Sequence, residues 1–200
     1  MTHATHATHA NEAPTTDLTA STWAIDAAHT DILFSAKHMM VTTVRGTFAE
    51  VEGTVTLDEA EPTRSHAELR IATGSVSTGN GPRDGHLRSP DFFDAEHFPS
   101  MSFRSSAVEH VRGDDYRISG DLTIRDTTRQ ITFDATFLGF YTSMQGARRA
   151  GLSARTRINR KDWNLGWNVA LETGGWLVGE DVSIEVEIAV EQIAAADIAA

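Results

Sequence analysis

Residues 182–191 read Val182-Ser183-Ile184-Glu185-Val186-Glu187-Ile188-Ala189-Val190-Glu191. Valine and isoleucine take every second place, and serine, alanine and glutamates fill the places between. Successive side chains of a strand point to opposite faces, so this stretch predicts a strand with one dry and one wet face. An amphipathic helix would need apolar residues three and four apart instead. The same period runs outward through the chain. Ile118, Gly120, Leu122 and Ile124 alternate with Ser119, Asp121 and Thr123, and Ile131, Phe133, Ala135, Phe137 and Gly139 alternate with Thr132, Asp134 and Thr136. Val51, Gly53, Val55 and Leu57 form another such face, as do Ala67, Leu69 and Ile71. Met101 and Phe103, then Leu152, Ala154, Thr156 and Ile158, and near the front Ile32, Phe34 and Ala36, complete a set of eight. Gly113-Asp114-Asp115, residues 126–129, and Glu59 to Arg64 with Pro62 predict the turns between them.

Antiparallel strands with one wet face must hide the other, by closing on themselves or by pairing with a second sheet. Eight strands close into a barrel that holds packed side chains or one small ligand. The inward set includes Gly53, Gly120, Gly139, Ala36, Ala135 and Ala154. These either leave room for a ligand or mark bends and bulges. If they leave room, a bulky residue at Ala135 would fill it. The rhythm breaks only at 79–94. Pro82 and Pro90 bracket a short helix expected at 83–89, which Gly85 weakens. A long connection of this kind in an all-β chain is a candidate lid or plug.

Composition narrows the function. The chain has 200 residues, 17 Lys and Arg against 28 Asp and Glu, and no cysteine. The length suits one barrel domain. The absence of cysteine excludes disulfides, thiolate zinc sites and a cysteine nucleophile. A formal charge of −11 argues against nucleic acid as a partner. No stretch approaches the roughly 20 apolar residues of a spanning helix. Residues 1–20 contain three Thr-His-Ala repeats and one large aliphatic residue after Met1, Leu18. They predict a disordered tail, residues 21–193 the barrel, and 194–200 a C-terminal tail. His3, His6 and His9 suggest either metal binding or incidental low complexity. The opening lacks a basic region followed by an apolar core, so it does not read as a signal peptide, and a cytoplasmic protein is expected.

Several ordered blocks resemble one known family, the YceI-like, lipocalin-like polyisoprenoid-binding proteins. They are Trp23-Ala24-Ile25-Asp26 with Ala28-His29-Thr30, Phe34 with His38, and Gly46 with Phe48. The most specific is Arg83-Asp84-x-His86-Leu87-Arg88-Ser89-x-Asp91-Phe92-Phe93-Asp94, followed by Phe98-Pro99 and Phe103. Gly120 to Arg125, and Gly151 to Ala154 leading to Ile158 through Trp163, also fit. The resemblance runs from Trp23 to about Gln192. It implies an eight-stranded antiparallel lipocalin-like barrel with an internal apolar tunnel for a polyisoprenoid, quinone or fatty-acid derivative. It also implies binding without chemistry and often a homodimer; no cofactor is expected, and transient membrane contact is a further possibility. The family's Arg-Ser-x-Phe-Gly is replaced here by Arg160 to Asn168, where Trp163 and Trp167 could reshape the tunnel.

Candidate ligand-binding residues follow. Alternation carries His38 inward, to meet a head group or to be satisfied by a neighbour. Arg83 could pair with a phosphate or carboxylate head. Asp84 suits a capping or structural role better. His86 lies on the same short helix, either toward a ligand or on a solvated face. Phe92 and Phe93 are expected to seal one barrel end. Phe103, Phe133 and Phe137 line tunnel or packed core. Arg45 and Arg160, at strand ends, either meet an anionic head or sit on the surface. Trp163 and Trp167 suit a pocket mouth or plain packing.

Two other functions compete. Asp84, His86 and Ser89 could serve an enzyme, but no nucleophile elbow or His-Glu-x-x-His motif is present. A barrel filled by Phe133, Phe137 and the tryptophans would be an interaction module. No catalytic or metal-binding residue is assigned.

Overall fold

The computed structural model describes residues 20–172 and 174–193. The tails expected at 1–20 and 194–200 lie outside the described residues, except Ala20, which opens the first strand. The strands are β1 (Ala20–Ile25), β2 (Asp31–His38), β3 (Thr42–Phe48), β4 (Val51–Asp58), β5 (His66–Ala72), β6 (Val76–Ser77), β7 (Ser100–Arg112), β8 (Asp115–Ile124), β9 (Thr127–Thr142), β10 (Arg148–Asn159) and β11 (Val178–Gln192). One helix, α1 (Gly81–Arg88), lies between β6 and β7. All pairings are antiparallel, and the circuit β1-β4-β5-β7-β8-β9-β10-β11 returns to β1. This is a closed eight-stranded barrel, the first of the two ways that the alternation left open for hiding the dry face and the one that the resemblance implied.

The first two staves are each made of two pieces. β11 pairs with β2 along its first half and with β1 along its second. Between them Asp26 breaks the strand: its carboxylate accepts from Ala28 N at 3.2 Å, and His29 N donates to Asp26 O at 3.1 Å. The return stave is β3 followed by β4. Alternation found one half of each stave, β2 and β4, so the count of eight agreed although β1 and β3 were not expected as separate strands.

Three local readings shift. The β8–β9 turn is Arg125-Asp126, because Ile124 already pairs with Thr127. Arg125 takes a left-handed conformation there, φ 56°, which costs a non-glycine residue energy. Its side chain reaches back over the Phe98 ring at 5.4 Å and toward Asp94 at 3.9 Å, tying the hairpin to the loop after α1. The helix starts two residues before the expected 83, since Asn80 caps it, accepting from Arg83 N at 3.1 Å, and Pro82 fits its first turn. The third shift is in β9. A bulge at Leu138 breaks the register with β10, pairing Gly151 with Gly139 but Leu152 with Phe137. Phe140, not Gly139, therefore continues the inner face beyond Phe137, with ring centroids 5.0 Å apart.

The inward glycines do not leave empty space. A Cβ at Gly46 would lie 2.4 Å from the Phe34 ring, and one at Gly120 would lie 2.4 Å from Arg104 O and 2.6 Å from the Phe103 ring. These positions let aromatic rings lie flat inside the wall.

Candidate functional site

The barrel interior holds two adjoining chambers. The inner one, about 200 Å³, is enclosed by β-strand residues that include Ile32, Phe34, Phe103, Phe133 and Val186, and closed at its end by Leu87, Phe92, Phe93 and Leu165. The outer one, about 380 Å³, is bounded by Val55, Leu57, Phe137, Phe140 and Val190, with Glu59, Ser65, His66, Asp114 and Tyr116 at its rim. Ala67, Ile118, Leu152 and Ile188 line both, so they form a waist between a closed end and a mouth. Ala135 is buried but lines neither chamber. Among the alanines and glycines, Ala36, Ala67 and Ala154 border the inner chamber, and Ala67, Ala150 and Gly151 the outer.

The closed end is built by the connection from β6 to β7. Phe93 meets Phe48 edge-on at 5.5 Å, and Phe92 is backed by His86 at 5.1 Å and Trp167 at 5.6 Å. His86 and Trp167 stack edge-on at 4.4 Å, outside the chamber lining, and His86 Nε2 lies 2.9 Å from Asp91 Oδ2. Ser89 Oγ donates to His86 O at 2.8 Å rather than to its imidazole, so these residues do not form a nucleophile–base pair.

Arg83 and Asp84 hold this connection together. Asp84, only 7% exposed, accepts from Thr78 N at 2.8 Å and Thr78 Oγ1 at 2.5 Å. Arg83 donates to Thr78 Oγ1 at 2.7 Å and Thr78 O at 3.1 Å. Arg88 donates to Gly74 O at 2.8 Å and Val76 O at 2.7 Å. The Thr78 hydroxyl holds the Asp84 carboxyl below its ordinary value against desolvation, aided by Thr78 N–H, Arg88 and Arg83. A depressed folded pKa stabilises the fold above the unfolded value, and that contribution fades as pH falls through the folded one. Asp84→Ala is expected to cost about 1–3 kcal/mol at pH 7, since it strands a buried donor. In urea titrations the deficit should shrink at acid pH; a deficit independent of pH would show that the charge contributes nothing.

The other sequence candidates divide plainly. Phe92, Phe93, Phe103 and Phe133 line the inner chamber and Phe137 the outer. His38 is half-buried at the end of β2, and Arg45 is exposed on β3; neither borders a chamber. Trp163 is 1% exposed, donates from Nε1 to Leu122 O at 3.0 Å, and packs outside both chambers. Phe140 and the rim residues were not singled out by the sequence reading. The signal for Phe140 was Gly139, an isolated strand glycine of the kind that marks a bulge.

Among the described residues, Arg160 is the one ionisable residue in the inner lining. It is 4% exposed and is held by carbonyls that the following loop brings back over it. Nε donates to Gly179 O at 2.9 Å, Nη1 to Leu165 O, and Nη2 to Val178 O at 3.4 Å. Burial pushes its pKa down, with Glu180 opposing. It shows the chamber no polar surface. The inner wall is apolar throughout, and the polar groups gather at the mouth.

Comparison with known proteins agrees with this geometry. The chain matches the family model of the YceI-like domain over residues 23–190. It is 35% identical over 164 residues to a UPF0312 protein of Staphylococcus aureus (strain bovine RF122 / ET3-1), covering 82% of this chain and 93% of that one. Among solved structures it is similar to BcnA of Burkholderia cenocepacia, with a TM-score of 0.73 and 23% identity over 82% of this chain and 98% of that one. It is also similar to a polyisoprenoid binding domain from Saccharophagus degradans implicated in plant cell wall breakdown. That TM-score is 0.62, with 16% identity over 86% and 98% of the two chains. At these identities both structures bear on the fold alone. With the family match spanning nearly the whole barrel, from Trp23 in β1 to Val190 in β11, the chain belongs to the YceI-like domain family.

Proposed function

We propose that this chain binds a long-chain amphiphile, a polyisoprenoid, quinone or fatty-acid derivative, and carries or stores it unchanged. The observation that carries this reading is the pair of chambers joined at a waist, apolar at the closed end and polar only at the mouth. A tail enters first and its head stays at the rim. Each buried methylene contributes about 0.8 kcal/mol, so a dozen supply about 10 kcal/mol, enough for a tail-dominated binder. The Saccharophagus domain that shares this fold is described as polyisoprenoid binding, and a polyisoprenoid is one of the tails proposed here. The rim also bears exposed Leu138, Tyr141 and Met144 on the β9–β10 hairpin, a surface suited to brief contact with lipid during loading. The absence of a nucleophile–base pair at Ser89 and His86 supports binding over catalysis.

Native mass spectrometry of the purified chain, followed by solvent extraction, tests the proposal. The expected result is a stoichiometric long-chain adduct, either as isolated or after incubation with hexadecanol or a prenol. A chain that stays free of adduct with every such compound would overturn it.

A further inference from the structure

Given the tail-in reading above, on which it rests, we infer that the mouth selects an amphiphile with an uncharged or cationic head, such as a hydroxyl, amide or amine. Carboxylate and phosphate heads are disfavoured. An anionic head is held by a cation that is free to meet it, and among the described residues the mouth offers no such arginine or lysine. Arg148 grips Glu59 with two hydrogen bonds, at 2.5 and 2.8 Å, while lying over the Phe140 ring at 4.4 Å. Arg149 lies between Asp26 at 2.8 Å and Glu191 at 2.7 Å. Arg64 lies 3.3 Å from Asp58, and Arg112 lies 3.3 Å from Asp115.

The spare groups are of the other kind. Asp114 stands at the rim of the outer chamber, and among the described residues its carboxylate has no hydrogen bond or ion pair. Tyr116 and His66 line the same rim with no hydrogen bond to the phenol oxygen or the ring nitrogens among the described residues. A hydroxyl or amide can donate to Asp114 and exchange hydrogen bonds with Tyr116, and an ammonium gains charge as well. A carboxylate meets the like charge of Asp114, in a chain of net charge −11 whose field adds to the repulsion. The opposite orientation, with an anionic head on Arg160, finds that guanidinium turned onto the carbonyls of Leu165, Val178 and Gly179.

The test holds the tail constant. Dodecanol, dodecylammonium and dodecanoate are titrated into the full chain at low micromolar concentration and low salt, with calorimetry as readout. Dodecanol and dodecylammonium should bind about ten-fold more tightly than dodecanoate. Asp114→Lys, a change at an exposed turn residue, should narrow that gap at least about three-fold, and salt should narrow it in the unmodified chain. Dodecanoate binding as tightly as dodecanol, or a gap indifferent to Asp114→Lys, would overturn the inference and leave the tunnel reading standing. A dodecanoate preference lost in Arg160→Met would place the head at the closed end and overturn it too. Failure of all three compounds to bind would instead bring down the tunnel reading itself.

Discussion

In an Ala67→Trp variant, affinity is expected to stop rising with chain length partway along a series of alcohols. Ala67 is the small residue of the waist that both chambers share with Ile118, Leu152 and Ile188. An indole there would close the passage while the outer chamber stays open to the mouth. In the unmodified chain each added methylene should tighten binding about four-fold until the tunnel is full, the equivalent of about 0.8 kcal/mol. If the block excludes six methylenes, the longest alcohols lose about 5 kcal/mol, a few thousand-fold in affinity. The backbone of Ala67 keeps its bond to Ser105 Oγ, at 2.8 Å, and its pairing with Val55. Overpacking should therefore cost only about 1–3 kcal/mol of stability. Calorimetry from octanol to hexadecanol, with circular dichroism to confirm the barrel, decides the matter. A variant that follows the unmodified slope to the longest chain would show that the chambers are not one continuous site.

The second large effect concerns stability rather than binding. Trp163→Ala should lower stability by about 3–5 kcal/mol, since it empties a large buried volume beneath the closed end. For a chain of this size that is a fall in Tm of roughly 6–20 °C. Trp163→Phe should retain most of the packing and lose mainly the bond to Leu122 O, at about 1 kcal/mol. Because the indole borders neither chamber, the lipid affinity of the folded Phe variant should be unchanged. Thermal denaturation of the two variants separates the terms. An alanine variant as stable as the parent would mean that the 160–166 turn carries no structural weight.

Much of the barrel was legible because burial acts on strands with a strict period of two. The valines and isoleucines of 182–190 declare their face without reference to any partner. The short helix announced itself through Pro82 and Pro90. What sequence could not show depends on chain returning from far away. Arg160 has the look of an ordinary strand-end arginine, and only Leu165, Val178 and Gly179, folding over it, make it interior. His38 has the parity of an inward residue, yet at the end of β2 it borders neither chamber, although Val178 opposite it lines the inner one. Arg83 suggested a head-group ligand, and its bonds run instead to Thr78 in its own connection. Phe140 hid behind a bulge.

That bulge changes what the strand can survive. Leu138 and Gly139 together occupy one outward position, so β9 contains one residue more than the ladder requires. A deletion inside a strand normally inverts everything beyond it, as a lost letter garbles a message. Loss of Leu138 is the exception: the ladder becomes regular, and Phe137 and Phe140 keep their places inside. Loss of Ala135 would instead drive Phe137 to the outside and draw Leu138 in. The mouth of this tunnel is thus open to remodelling by changes in chain length, at one position where the reading frame of the barrel is slack.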